Sequence, residues 1–316
     1  MTATPMLPAT AAPTNVNMAV NLGGLSMKNP VTTASGTFAA GREYSDFVDV
    51  SALGAITTKG VSLNGWEGNA SPRIAEVPSG MLNSIGLQNP GVEHLKACEL
   101  PWLAEVGATA IVNVSGHSFD EYVQVIEALE DAPLDAYEVN ISCPNVDAGG
   151  MTIGTHVESV EKVVGMCREA TARPLIVKLT PNVTDIAEIA RAAESAGADA
   201  ISLINTLMGM AIDADRRCTL TSRPFAGFSG PAIKPVALRC VWQCHNAVKV
   251  PLLGMGGISN GTDAVEFMLA GATAVAVGTA NFVNPQATID VIDGIAEYCE
   301  RHGVKDVNEL IGALQC

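Results

Sequence analysis

Apolar and polar positions follow two different rhythms along the 316-residue chain. Short runs rich in Val, Ile, Leu and Ala occupy residues 31–34, 55–59, 108–114, 137–141, 175–179, 200–204, 252–255 and 274–278. These runs are not strictly alternating, as expected of parallel strands covered on both faces. Between them the spacing shifts to that of amphipathic helices. Ser118-Phe-Asp-Glu121 predicts a capping box. Thr184-Asp185 opens a helix with Ile186, Ile189, Ala190 and Ala193 on one face and Gly197 as its stop. Residues 231–246 and 262–270 repeat the pattern. Ahead of the first run, Met18-Ala-Val-Asn-Leu22 and Leu25-Ser-Met27 flank Gly23-Gly24 and predict a β-hairpin.

Eight strands separated by helices, with no linker between them, predict an α/β fold: a single (β/α)8 TIM barrel over residues 16–316. An open doubly wound sheet is the alternative, but it usually has fewer strands. Residues 1–15, rich in Ala, Thr and Pro, read as a disordered tail. Three connections exceed the usual handful of residues: 60–90, 142–155 and 207–230. Each follows a strand. In a barrel such loops lie over the C-terminal face, where active sites are built.

Composition narrows the function classes. The formal charge is −15, with no cluster of Lys or Arg, and aromatics make up 4%. A nucleic-acid partner needs clustered cations and stacking surfaces, so none is expected. No basic, apolar leader opens the chain, and no uncharged apolar stretch reaches the ~18 residues of a membrane span. A soluble cytoplasmic protein without a membrane partner is expected. The eight cysteines, at 98, 143, 167, 218, 240, 244, 299 and 316, form neither a disulfide framework nor a Cys-x-x-Cys knuckle. Cys240 and Cys244 sit one helical turn apart, but no second pair accompanies them, so buried helix thiols are favoured over a metal site.

The chemistry gathers at the strand ends. These read Ser35-Gly36, Lys59-Gly60, Asn113, Asn140, Lys178, Asn205-Thr206, Gly256-Gly257 and Gly278-Thr279. Any single Asn or Gly there is an ordinary turn former. Two lysines and three asparagines converging on one barrel mouth instead predict a polar, partly cationic pocket. In so acidic a chain, lysines at strand ends are informative. The glycine pairs after the last two strands leave room for a phosphate on backbone N–H groups.

Five segments in order carry a family resemblance: Asn83-Ser-Ile-Gly-Leu-Gln-Asn-Pro90, Asn140-Ile-Ser-Cys-Pro-Asn145, Ile204-Asn-Thr-Leu-Met-Gly209, Ser229-Gly-Pro-Ala-Ile-Lys-Pro235 and Gly254-Met-Gly-Gly257. Through them the chain resembles the dihydroorotate dehydrogenases, from about residue 18 to about residue 311. The resemblance implies a TIM barrel holding FMN that oxidises dihydroorotate to orotate in pyrimidine biosynthesis. The implied flavin site is Ser35, Lys59, Gly60, Asn113, Asn140, Lys178, Ile204, Gly230, Gly256, Gly257, Gly278 and Thr279. The implied substrate site is Lys59, Asn83, Ser84, Ile85, Gly86, Leu87, Asn140, Asn145, Asn205 and Thr206. Asparagines carry both donors and acceptors, which the alternating C=O and N–H edge of a pyrimidine requires. Lys59 would face the substrate carboxylate, and Lys178 would stabilise negative charge on reduced flavin.

Cys143 is the implied general base. Soluble members of the family carry Cys at this point and membrane-associated members carry Ser. A thiol, with pKa ~8.5, can serve after modest tuning. The competing reading, an inert buried thiol, suits a long post-strand loop poorly; the other seven cysteines are assigned to structure. Asp147-Ala-Gly-Gly-Met151 and Asn205-Thr-Leu-Met-Gly-Met210 resemble the NAD-linked type more than the fumarate-linked type. A related group acting on uracil and thymine departs from Cys-Pro-Asn at this loop. The NAD-linked type implies a homodimer of this chain joined to a second subunit with FAD and a [2Fe–2S] cluster. A fumarate-linked enzyme and a non-catalytic flavin-binding scaffold remain as alternatives.

Overall fold

The structure, a computed structural model, describes residues 8–142, 147–148 and 151–315. Eight parallel strands form one sheet: β1 (Val31–Thr33), β2 (Ile56–Thr57), β3 (Ala110–Val114), β4 (Ala136–Asn140), β5 (Leu175–Lys178), β6 (Ala200–Leu203), β7 (Leu252–Met255) and β8 (Ala274–Val277). From β2 to β8 each strand pairs with its neighbours in sequence, and β8 pairs with β1, in the order β1-β8-β7-β6-β5-β4-β3-β2. The seam between β1 and β2 is closed differently. The Gly54 N–H donates to the Val31 carbonyl at 2.9 Å, the Thr57 N–H donates to Thr33 Oγ1 at 3.0 Å, and the Thr33 hydroxyl donates to the Thr57 carbonyl at 3.3 Å. The barrel expected from the apolar runs is therefore present, with a threonine-laced seam.

The strands form where β-branched residues cluster because both of their faces are buried; all five residues of β3 and of β4 are buried. Helices Phe119–Leu129, Val157–Ala170, Ile186–Ser195, Lys234–His245, Gly261–Leu269 and Ala287–His302 pack apolar faces around the barrel. Asp185 caps its helix as expected, its carboxylate accepting from the Ala187 and Glu188 N–H groups. At Ser118 only half of the expected box forms. The Ser118 side chain accepts from the Glu121 N–H, but the Glu121 carboxylate accepts from the N–H groups of His117 and Leu63. That carboxylate ties the helix to the loop after β2.

The expected hairpin pairs Val20–Leu22 with Leu25–Met27, both glycines of its turn having positive φ. A Cβ on Gly23 would stand 2.3 Å from the Asp199 carbonyl oxygen. Asp199 precedes β6, so the hairpin covers the N-terminal end of the barrel and leaves the opposite end for chemistry.

Two of the long connections hold a sheet that the sequence pattern did not reveal. Ile74–Val77 and Gly80–Asn83 from the first pair with Leu207–Gly209 and Ala226–Ser229 from the third, as a four-stranded antiparallel sheet over the C-terminal face. Each strand is short, and partners from the two connections lie more than a hundred residues apart, so no local signal announces them. A second difference concerns the tail. Residues 8–15 are docked, not disordered: Ala9 bridges to residues 47–49, the Ala12 N–H donates to Asp293, and the Thr14 hydroxyl donates to Glu300.

Candidate active site

A cavity of about 630 Å³ opens at the C-terminal ends of the strands, beneath the antiparallel sheet. This is an ordinary volume for a cofactor or small-molecule site. Ser35 enters after β1, Lys59 after β2, Asn140 and Lys178 from the last positions of β4 and β5, and Ile204, Asn205 and Thr206 after β6. Gly256 and Gly257 follow β7, Gly278 and Thr279 follow β8, and Gly230 ends the third long connection. The antiparallel sheet brings Asn83, Ser84, Ile85, Gly86 and Leu87 over the mouth. All of these expected residues line this cavity.

Two expected residues do not. Asn113 has no exposed surface and Gly60 also stands behind the wall. A Cβ on Gly60 would lie 2.7 Å from Asn113 Oδ1, so glycine there leaves room for the Asn113 amide. Cys143 and Asn145 lie outside the described residues.

Among the described residues, the lining includes Lys59 and Lys178 and no Asp or Glu. In a chain of net charge −15, an acid-free wall with two ammonium groups favours an anionic ligand. The glycines make one part of the cavity wall close and backbone-lined. Gly256 and Gly257 have φ of 127° and 83°, which disfavours side chains, and a Cβ on Gly257 would stand 2.9 Å from the Gly230 carbonyl oxygen. The Thr279 hydroxyl donates to Ser229 Oγ at 2.8 Å, joining the two glycine segments. Small residues and backbone amides at one end, with lysines and amides deeper in, fit a ligand carrying a phosphate and a polar ring system. The mouth is rimmed by exposed apolar side chains, including Ile74, Met208, Phe282 and Val283.

Several contributors escaped the sequence reading. Glu138, fully buried in β4, pairs with Lys178 at 3.7 Å and accepts from the Ser202 hydroxyl at 2.7 Å. A carboxylate inside an apolar barrel strand was the available signal. Asn182, just after β5, donates to the Thr206 carbonyl and accepts from the Met208 N–H, fixing the turn that carries Asn205 and Thr206. Asn89 holds the loop beside Leu87, accepting from the Ser62 and Gly91 N–H groups and donating to the Leu87 carbonyl.

The other cysteines divide. Burial pushes the Cys167 thiol up to about 12; burial first, and then the neighbouring Cys240 and Asp185, do the same for Cys244. Cys240, Cys244 and Cys299 are also buried. Cys98 and Cys218, expected to be structural, are exposed, because one lies in the helical turn ahead of Leu100 and the other in a surface strand pair. Among the described residues no three His, Cys, Asp or Glu side chains converge as metal ligands, and no helix is long and apolar enough to cross a membrane.

Comparison with known proteins agrees with this geometry. The sequence model of the dihydroorotate dehydrogenase family matches residues 17–299. A dihydroorotate dehydrogenase B (NAD(+)) catalytic subunit of Alkaliphilus metalliredigens is 57% identical over 301 residues, covering 95% of this chain and 100% of the relative. The catalytic subunit of the same name from Bacteroides fragilis is 55% identical over 300 residues, covering 95% and 99%. With the matched region spanning the barrel from hairpin to last helix, the chain belongs to the dihydroorotate dehydrogenase family, a family of flavin-dependent oxidoreductases.

Proposed function

We propose that this chain is the catalytic subunit of an NAD-linked dihydroorotate dehydrogenase, oxidising (S)-dihydroorotate to orotate in pyrimidine biosynthesis. The observation that carries the reading is the cavity with Lys59, Lys178, Asn83, Asn140 and Asn205 on its wall, no Asp or Glu among its described lining residues, and the glycine cradle at one end. Dihydroorotate is a carboxylated ring of alternating C=O and N–H groups. Lys59 is assigned to its carboxylate, and the asparagines, with Thr206 and the segment from Asn83 to Leu87, to its ring edge. FMN is the proposed resident group; bound in the cavity it would supply the acceptor for the hydride that leaves the substrate. Its phosphate suits Gly230, Gly256, Gly257, Gly278 and Thr279, while Ser35, Ile204, Asn140 and Lys178 stand along the rest of the cavity.

Cys143 is assigned as the base that removes the proton from the substrate's ring carbon. It follows Ser142 directly, and Ser142 is buried beside Asn140 and Asn205. Lys178 places a positive charge at the end of β5, where negative charge would build up as electrons arrive. The electrons then need an exit, and the relatives named as NAD(+)-linked catalytic subunits support a separate electron-transfer subunit. We assign FAD and a [2Fe–2S] cluster to that partner, around a homodimer of this chain. The exposed apolar rim of the cavity offers a surface for such contacts.

The test is direct. The purified chain should be yellow, release one FMN per chain on denaturation, and lose its colour anaerobically when dihydroorotate is added. A folded, FMN-loaded protein whose colour persists with dihydroorotate would overturn the activity.

A further inference from the structure

Glu138 has no exposed surface and sits two residues before Asn140 on β4. Its partners come from three other barrel strands. Oε2 accepts from Asn113 Nδ2 of β3 at 2.5 Å and lies 3.7 Å from Lys178 Nζ of β5, while Oε1 accepts from Ser202 Oγ of β6. A chain of hydrogen bonds continues from Asn113 toward the cavity. Asn113 Oδ1 accepts from Asn140 Nδ2 at 3.3 Å; Asn140 Oδ1 accepts from Ser142 Oγ at 2.6 Å; Ser142 Oγ accepts from Asn205 Nδ2 at 2.6 Å. Asn205 Oδ1 accepts from the Thr206 N–H at 2.8 Å. Only Asn140 and Asn205 of these amides reach the cavity wall.

An amide side chain presents a donor or an acceptor according to which way it is turned, and the two orientations have nearly the same shape. A carboxylate has no such freedom, because it only accepts. Facing Glu138, Asn113 must offer Nδ2, which turns its oxygen to Asn140. Asn140 then offers Nδ2, and its oxygen accepts from the Ser142 hydroxyl and, at 3.3 Å, from the Ser142 N–H, which leaves the serine oxygen to accept from Asn205. We infer that Glu138 is a positioning residue. Its charge, buried out of reach of any ligand, acts with the Ser142 and Thr206 N–H groups to fix the donor–acceptor polarity of Asn140 and Asn205, and thereby the pattern the site shows to the C=O and N–H edge of its substrate. This deepens the dihydroorotate reading and rests on it.

The rival role for Glu138 is that of a counter-ion for Lys178 alone. Orotate binding to the FMN-loaded protein, measured by calorimetry, separates the two roles when read beside the midpoint potential of the flavin. Glu138→Gln keeps the shape and removes the acceptor-only constraint. It should weaken orotate binding about tenfold, the effect of one mispaired hydrogen bond. Adding Asn113→Asp should restore most of that loss, because the carboxylate introduced on β3 accepts both from the amide introduced on β4 and from Asn140 Nδ2. Ser142→Ala, which leaves the buried charge untouched, should also weaken orotate about tenfold. It serves as the deciding variant if Glu138→Gln does not fold. A changed potential with orotate affinity within about twofold of the unaltered protein in Glu138→Gln, or in Ser142→Ala, overturns the polarity role and leaves the dihydroorotate reading standing. No orotate binding by the unaltered protein overturns both.

Discussion

A base that works on a ring carbon needs a thiol able to ionise near the operating pH, and the buried cysteines of this protein are far from that. Desolvation holds Cys167 and Cys244 up at about 12, so they stay protonated and inert. Native protein treated with iodoacetamide near pH 8 should therefore be alkylated at exposed Cys98 and Cys218 and not at Cys167 or Cys244. Peptide mass spectrometry reads this, and early labelling of Cys244 would show that the helix around it opens. For the chemistry itself, Cys143→Ala should lose ~10²–10⁴-fold in flavin reduction by dihydroorotate while retaining FMN, and Cys143→Ser should recover partly at high pH. Stopped-flow absorbance measures both; near-normal reduction in the alanine variant would place the base elsewhere. The lysines should separate as well. Lys59→Ala should mainly weaken orotate binding, and Lys178→Ala should mainly slow flavin reduction. An equal, modest loss of orotate affinity in both would remove the distinct roles assigned to them.

The element that matters most for binding is the turn after β7, where glycine is required by geometry. Gly257 combines φ of 83° with a would-be Cβ 2.9 Å from both the Gly230 carbonyl oxygen and Lys234 Cβ. Gly257→Ala should cost about 1–3 kcal/mol in backbone strain and also widen the cradle, so FMN should be lost on gel filtration. Gly303 is the matched control. It closes helix Ala287–His302 with φ of 71° and has nothing within 4 Å of a would-be Cβ. Gly303→Ala should lower the melting temperature similarly and leave FMN bound. If both variants kept full flavin, the glycine cradle would not be the phosphate site.

For the molecule as a whole, the route of the electrons is the largest consequence. The isolated chain should reduce a dye but not NAD, and addition of the FAD and [2Fe–2S] subunit should confer NAD reduction and give a stable complex on gel filtration. Rapid turnover of the isolated chain with fumarate, indifferent to the partner, would contradict this assignment. Charge-reversing changes away from the cavity should leave flavin binding intact, since Lys59 and Lys178 on the cavity wall, not the net charge, face the ligand.

The sequence by itself determined the barrel. Its eight apolar runs predict the eight strands to within a few residues, because each strand is buried on both faces and the signal is local. Strand ends and glycine pairs, readable from one-dimensional order, also placed Ser35, Lys59, Asn140, Lys178, Asn205, Thr206, Gly256, Gly257, Gly278 and Thr279 on the cavity wall, while Asn83 to Leu87, Ile204 and Gly230 came from the family resemblance. Tertiary structure alone decided what depends on distant pairing. The sheet over the mouth joins residues 80–83 to 226–229, the docked tail joins Ala9 to residues 47–49, and neither has a periodic signature. It likewise decided the inside of the wall. The strand-end position of Asn113 is legible in the sequence, but the neighbouring strands turn its amide nitrogen to Glu138, and a hydrogen bond to a buried carboxylate is a property of packing that no single segment encodes.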